Sequence, residues 1–547
     1  MYERIQKICK YFRKESEEKK TNFNEEINVK FYKFKSWLSE NGAIFENFIE
    51  FPVIYGPFCK IGCKAKAEIN ENVSFLMIPQ KLMIMSNNLN YFDKYINKVK
   101  EDIPEKDLPL LYLTLYLYLE RKNEKSFFKP YIDIIFLKED IFYNEINNEI
   151  LEELNDDITK ESIENSLNKI NEIYELIIQC EKFSDLKKEE FIECYFKIKS
   201  KKIELNDNLA LIPLVDLFYS DNSINLKYEI YDSENMVFKY TSLINSGSNM
   251  KYNLYMTKSD YFPFNKASYN KLIPFKVDYD DDEEEEGENR EEIKININDY
   301  FSLALSKNNN LLKNSIICGN NELCNKKLLK NKGFCLLYNR NDYLVIKIKF
   351  KRGDILIDRY LENIFKENYE TKNDDPINND IKIKIYFNSI STDLLKYFRF
   401  FYFYETKKIV KDYFKYNFNF DIEISVINTS IKSLEDKLKF MEKKFSFDKD
   451  LKDLENELFN NKGNKNYIRA NLIIFRLSQK IIIKNQLNLL SYILKIMEKY
   501  KVNGYNNIYD YMSKENIPNE YDSQENNKLK ILRFIAYMSQ NIDLKNI

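Results

Sequence analysis

The sequence predicts an α+β chain in which two stretches of strand texture flank a helical block and a long helical region follows. Three observations predict it. Phe48 to Ile54 and Val73 to Ile78 are short β-branched or aromatic runs of strand type. Residues 105–205 mostly carry the helical period, whereas 206–345 alternate strand signals with turns. From 391 to the end the helical period dominates again.

Taken in order, residues 1–24 read as a charged leading helix. Residues 25–41 hold a helix with Phe31, Phe34, Trp37 and Leu38 on one face, stopped by Asn41-Gly42. Trp37 is the one tryptophan and reads as a core anchor. The apolar run Leu108 to Leu119 is shorter than the roughly 20 residues a bilayer span needs. Its Leu/Tyr alternation fits a strand, but Asp107 as N-cap and Pro109 in a first turn fit a helix, and a buried helix is the reading preferred. Residues 350–390 read as a linker and variable region, and the Ile- and Leu-rich run Tyr467 to Tyr500 as part of a self-packed helical domain over 391–547.

Asp278 through Glu286 is acidic except for Tyr279 and is followed by Gly287. Charge this dense repels itself and buries no surface, so a disordered loop over 278–292 is expected. A solvated insertion is the preferred reading over a lure for a basic tail. Deleting Asp278 to Glu292 is therefore expected to leave the core intact. A fall in melting temperature of more than about 4–8 °C, roughly 1 kcal/mol in a small domain, would assign the loop a structural role.

Composition narrows the function. The 547 residues are 44% hydrophobic and 31% charged with net charge -2, which suits a folded chain and argues against a dedicated nucleic-acid binder. There is no histidine, so Ser-His-Asp triads, Cys-His dyads and His-ligated metals are excluded, and no metal is expected. The eight cysteines, Cys9, Cys59, Cys63, Cys180, Cys194, Cys318, Cys324 and Cys335, form no CxxC. They read as reduced, mostly buried thiols of an intracellular protein, cytoplasmic or nuclear. The charged start MYERIQKICK is not a signal peptide, and no membrane association is expected.

Seven ordered blocks carry a resemblance. They are Phe34-Lys35-Ser36-Trp37-Leu38 with Glu40 to Ala43; Lys60 to Ile69 with Phe75 to Pro79; Ser126 to Tyr131; Leu211 to Asp216; Cys318-Gly319, Cys324-Asn325 and Gly333-Phe334; Asp393 to Arg399; and Arg469-Ala470 with Arg476 and Lys480 to Ile482. Together they resemble the SET-domain protein methyltransferases of the branch typified by Rubisco large-subunit methyltransferase. The resemblance implies a SET β-fold in two halves, 25–104 and 206–349, split by a helical insert at 105–205 and followed by a helical substrate-binding domain at 391–547.

It also implies S-adenosylmethionine as cofactor and a protein substrate, with lysine as the methyl acceptor. A target ammonium with a pKa near 10.4 must lose its proton in a tight apolar channel before it attacks the methyl group. Cofactor contacts are expected from Gly62, Tyr219, Ser220, Asn325 and Phe334, and reacting-centre positions at Cys318 and Lys332. Each has a plainer reading: Gly62 a turn, Asn325 a turn cap, Phe334 core. Arg469, Arg476 and Lys480 read as solvated helix faces, with substrate contact the lesser alternative.

The sequence departs from the family pattern. Lys60 and Ile61 replace a glycine and an arginine before Gly62, Tyr219 and Ser220 replace an Asn-His pair, Cys318 replaces a tyrosine and Lys332 an aromatic. Two readings follow: a diverged active methyltransferase, or a non-catalytic binding or scaffold protein that keeps the fold.

Overall fold

The computed structural model of the chain describes residues 1–13, 25–56, 60–70, 74–137, 146–205, 208–220, 228–231, 237–239, 253–255, 300–305, 311–319, 323–351, 369–370, 378–405, 420–460, 466–500 and 517–541. The expected acidic loop lies outside them.

Helix α1, Tyr2–Arg13, buries Ile5, Ile8 and Cys9, an i, i+3, i+4 stripe. Its end seats on Gly56, whose φ of +65° favours glycine and where a Cβ would stand 2.7 Å from the Phe12 carbonyl. Helix α2, Glu25–Glu40, buries Phe31, Phe34, Trp37 and Leu38 as expected. Gly42, at φ 89°, ends it: Ala43 N–H donates to the Leu38 carbonyl at 2.9 Å and Gly42 N–H to that of Ser39 at 3.1 Å, the Schellman pattern.

The two expected early strands form. Strand β1, Ile49–Tyr55, pairs antiparallel with β2, Lys60–Ala65, and β3, Ser74–Pro79, opens a second sheet. The apolar run becomes helix α3, Leu108–Lys122, with Pro109 in its first turn. Asp107 does not cap it; its carboxylate pairs instead with Lys169 at 2.5 Å, a charge partner that outcompetes a first-turn N–H. Helices α4, Lys129–Ile135, α5, Asp157–Ile177, and α6, Lys188–Lys201, follow it. Helix α5 is capped by Asp156, which accepts from Thr159 N–H at 3.1 Å.

The chain then returns to the sheets. Strand β4 is Tyr219–Ser220, β5 is Tyr228–Tyr231, β6 is Tyr300–Leu305 and β7 is Cys318–Gly319. Strand β6 lies between β3 and β5, antiparallel to both, while β7 runs parallel to β4 with Cys318 opposite Tyr219. This region also holds a helix that strand texture hid: α7, Asn325–Lys332, burying Leu328 and Leu329 and ending on Gly333 at φ 68°. Strand β8, Tyr343–Lys351, starts within the expected strand region and pairs over nine residues with β9, Asn378–Tyr386, which lies in the expected linker. Alternation explains it: Ile383 and Ile385 are fully buried while Lys382 and Lys384 fall on the other face.

Helices α8, Thr392–Glu405, α9, Phe420–Glu442, α10, Phe447–Glu455, α11, Tyr467–Tyr500, and α12, Gln524–Asn541, close the fold. Helix α11 is buried all round between Ala470 and Ile483 and acts as a spine against α9 and α10. Arg476 and Lys480 do not face solvent as expected. Both are buried, ion-paired with the equally buried Asp450 of α10 at 2.6 Å each, because the helix has no exposed face there. Arg469, in the first turn, does keep half of its side chain exposed. One apolar core runs from Ile5 to Phe534 through both sheet and helical parts. No helix among the described residues is long and apolar enough to cross a membrane. Cys9, Cys63, Cys180, Cys194, Cys324 and Cys335 are buried and lie outside any disulfide.

Candidate functional site

Blocks far apart in sequence meet around Tyr131. Its ring stacks on Phe34 and Trp37 of α2 at centroid distances of 5.9 and 6.3 Å. Its hydroxyl donates to Asp216 Oδ2 at 3.0 Å. A tight turn aims Asp216 inward: Leu214 sits at φ 69°, ψ -43°, a region L-residues rarely adopt and one in which strain of about 1–3 kcal/mol is stored. The Asp216 side chain is wholly buried, with Lys201 Nζ 3.8 Å away and Oδ1 lacking a hydrogen-bond partner among the described residues. Burial raises its carboxyl pKa against the opposing pull of Lys201 and Tyr131. Lys332, the last residue of α7, feels the same Lys201: burial first, then the Lys201 charge, pulls its amine down to about 8.

The block around Gly62 is packed from within. Val53 stands opposite Gly62 and Tyr55 opposite Lys60, so Tyr55 lies diagonal to Gly62 on one face of the pair. The Tyr55 ring covers the glycine, with its Cε2 3.0 Å from where a Cβ would be, and the Leu217 carbonyl stands 3.4 Å away on the other approach. The Tyr55 hydroxyl donates to the Cys63 carbonyl at 3.0 Å, which fixes the ring there. Lys60 reaches the other way. Its ammonium lies 3.9 Å from the centroid of Phe334 and 5.6 Å from that of Tyr467, a cation–π arrangement. Cys9 and Phe12 of α1, Asn471 of α11 and these three residues line a cavity of ≈ 40 Å³. At about 10–15 Å³ per water this holds about three waters, not a nucleoside.

Asn325 is a structural node. It is wholly buried. Its Nδ2 donates to the Leu336 carbonyl at 2.8 Å and Asp342 Oδ2 at 3.0 Å, and its Oδ1 accepts from Leu336 N–H at 2.9 Å and Asn339 Nδ2 at 3.0 Å. An amide has two donors and two acceptor lone pairs, so all four positions are engaged. Its backbone N–H also donates to Asp342 Oδ1 at 2.9 Å, so Asp342, not Asn325, caps α7. Burial holds that carboxyl up at about 6. Replacing Asn325 by alanine strands several buried polar groups at once. It is expected to cost about 2–3 kcal/mol and to loosen α7 first. Denaturant unfolding together with amide exchange across 325–332 checks both.

The parallel β4–β7 pair brings the backbones of Tyr219, Ser220 and Cys318 together. The structure thus sets Gly62 beside Leu217, the residue after Asp216, brings Lys332 under the charge of Lys201, places Phe334 under Lys60 in the separate cavity, and joins β4 to β7. Sequence reasoning missed Tyr55, Tyr467, Asn471 and Lys201. A hairpin register through Gly56 would have placed Tyr55 over Gly62. Nothing local marks Lys201, which reaches Asp216 only through the packing of α6.

Comparison with known proteins follows the same line. No protein-family model and no curated protein matches the chain. Solved structures do. The SET domain of LSMT bound to lysine and AdoHcy superposes with a TM-score of 0.53 at 14% identity, over 89% of this chain and 99% of that one. Rubisco LSMT bound to sinefungin and monomethyllysine gives 0.51 at 16% identity over 88% and 99%. Rubisco LSMT bound to AdoMet gives 0.50 at 14% identity over 88% and 99%. At these identities the likeness establishes the fold: an α+β SET fold with a helical C-terminal region.

Proposed function

We propose that this chain is a SET-fold, methyltransferase-like protein descended from AdoMet-dependent protein-lysine N-methyltransferases, and that its cofactor site is filled from within. In this reading 25–104 and 206–349 are the halves of the SET domain, 105–205 its insert and 391–547 a substrate-binding-like domain that now holds a protein partner. The observation that carries it is the Lys60 ammonium on the face of Phe334, where the resemblance puts a cofactor-contacting ring. Two others support it: Tyr55 closes over Gly62, and the Asn325 amide has no hydrogen-bonding position left for a ligand. The residues present do not fit AdoMet. Calorimetric titration of the full chain with AdoMet is the test: binding near the millimolar range or weaker is expected, and micromolar binding overturns the reading.

A second reading, a diverged active protein-lysine methyltransferase, is favoured by Lys332. An amine held near 8 at the closing motif experiences the desolvation that a target ammonium needs in order to lose its proton. Methyl transfer to a protein by the purified chain separates the two.

A further inference from the structure

We propose that the cavity beside Lys60 is a binding site for a quaternary ammonium group, and that Lys60 is the resident competitor for it. The inference rests on the reading that AdoMet does not occupy the place around Phe334, and it names what that place takes instead.

Rings wall the cavity: Phe12 of α1, Phe334 and Tyr338 beyond the end of α7, and Tyr467 of α11. Phe334 and Tyr338 are buried, whereas Phe12, Tyr467 and Lys60 are half-buried, so the buried rings make the floor and the others the mouth. A cation already sits there. The Lys60 ammonium stands 3.9 Å from the Phe334 centroid and 5.6 Å from that of Tyr467, both inside the roughly 6 Å reach of a ring's negative face. None of the residues lining the cavity is acidic. Their polar groups are turned toward the protein. The Asn471 amide accepts from Cys335 N–H at 2.8 Å and donates to the Tyr467 carbonyl at 2.8 Å. The Tyr338 hydroxyl donates to Asp522, and Cys335 Sγ faces the Asn325 carbonyl at 3.9 Å.

Such a wall selects among cations. A primary ammonium carries three N–H donors and is strongly hydrated. A quaternary ammonium has no donor to satisfy, so ring faces serve it fully. Exchange follows from the difference: the Lys60 ammonium returns to water on its flexible stem, and the quaternary group takes the rings. Size agrees. The free space is ≈ 40 Å³, about three waters at about 10–15 Å³ each, and the departing ammonium adds its own volume. That suits a trimethylammonium head and little more. The head is shared by a trimethylated lysine of a protein partner and by a choline-like metabolite.

The test titrates the full chain with tetramethylammonium calorimetrically at fixed ionic strength. Saturable binding is expected. It should be about tenfold tighter in K60A, which removes the competitor, and about tenfold weaker or worse in F334L/Y467L, which keeps apolar volume without the ring faces. Choline is then compared with its uncharged tert-butyl isostere, which should bind at least about tenfold more weakly, because it has the shape but no charge for the rings. Circular dichroism confirms that each variant folds. Should F334L/Y467L fail to fold, the isostere comparison on the unaltered chain decides in its place. A trimethyllysine peptide that binds more tightly than choline places the head on a protein, and the reverse order places it on a metabolite. No saturable binding in K60A, unchanged binding in F334L/Y467L, or equal binding of the uncharged isostere overturns the proposal. AdoMet titrated alongside keeps the two readings apart: micromolar AdoMet binding overturns the one on which this rests, whereas weak AdoMet binding without saturable tetramethylammonium binding overturns this inference alone.

Discussion

Replacing Asp450 with asparagine is expected to destabilise the chain by about 3–5 kcal/mol, the usual result of removing one partner from a buried ion network. Asp450 is wholly buried on α10 and faces two cations of α11. Arg476 Nη2 and Lys480 Nζ each lie 2.6 Å from its carboxylate, and Arg476 Nε lies 3.2 Å from both oxygens. The charge at the centre is thus two cations on one anion, all out of water. What remains after the substitution is thin. Arg476 keeps the Glu153 carbonyl at 2.6 Å and the face of Phe445 at 3.9 Å, and Lys480 keeps the Phe445 carbonyl. The countercharge that remains is weak: the Glu153 carboxylate lies 4.0 Å from Arg476 Nη1 and is 44% exposed. The network also joins the insert to the C-terminal helices through Glu153, so the loss should be felt as global unfolding rather than local fraying. Denaturant unfolding checks it: the midpoint should fall with little change in slope. The triple replacement D450L/R476M/K480M should recover much of the loss, because uncharged side chains of similar volume need no partner. A D450N cost below about 1 kcal/mol, the range of an exposed pair, would mean that water reaches the network.

That same network shows where the sequence is legible and where it is not. Local signals worked where one residue's environment is set by its own element. The stripe of α2 and its Asn41-Gly42 stop are read directly, because a Schellman turn needs a residue at positive φ and a helix stripe needs a core. Arg476 and Lys480 failed because charge on a helix normally marks the solvent side, and only the packing of α10 against α11 reverses that. Asp107 failed for the same reason: its partner Lys169 is far off in sequence. Strand β9, placed in the expected linker, was readable all the same, since the alternation in Ile381 to Tyr386 has period two throughout. The candidate site was legible as a set of blocks but not as chemistry. Gly62 and Asn325 stand in the sequence as candidate ligand contacts, and the packing around them could not be read there. A ring covers one, and four hydrogen bonds saturate the other.

AdoMet is expected to bind this chain near the millimolar range, and the variant K60G/Y219N/S220H is expected to bind it measurably more tightly. The hydrogen bonds that the cofactor would no longer find here set the magnitude. The two positions that the resemblance assigns to an Asn-His pair carry Tyr219 and Ser220. A hydrogen bond to a ligand is worth about 0.5–1.5 kcal/mol, more when charged. Lys60 adds a cost of its own. Its ammonium must leave the faces of Phe334 and Tyr467 before any ring can stack there, and a cation–π contact of this kind is worth about 0.5–2 kcal/mol. Together these reach about 3–4 kcal/mol, or two to three decades of affinity, enough to turn a micromolar site into a near-millimolar one. K60G frees the Phe334 face but places glycine inside β2 at about 0.5–1 kcal/mol relative to alanine. Tyr55 still covers Gly62, so recovery should be partial, about one decade. Adding C318Y should alter turnover more than binding, because a phenol at the reacting centre acts on the transition state. Calorimetry on the four proteins, wild type, K60G, the triple and the quadruple variant, with methyl transfer to protein lysine followed in parallel, separates these effects. Micromolar binding by the unaltered chain would mean that other residues have taken over the cofactor contacts. Methyl transfer that survives both C318A and K332A would mean that the closing motif lies elsewhere.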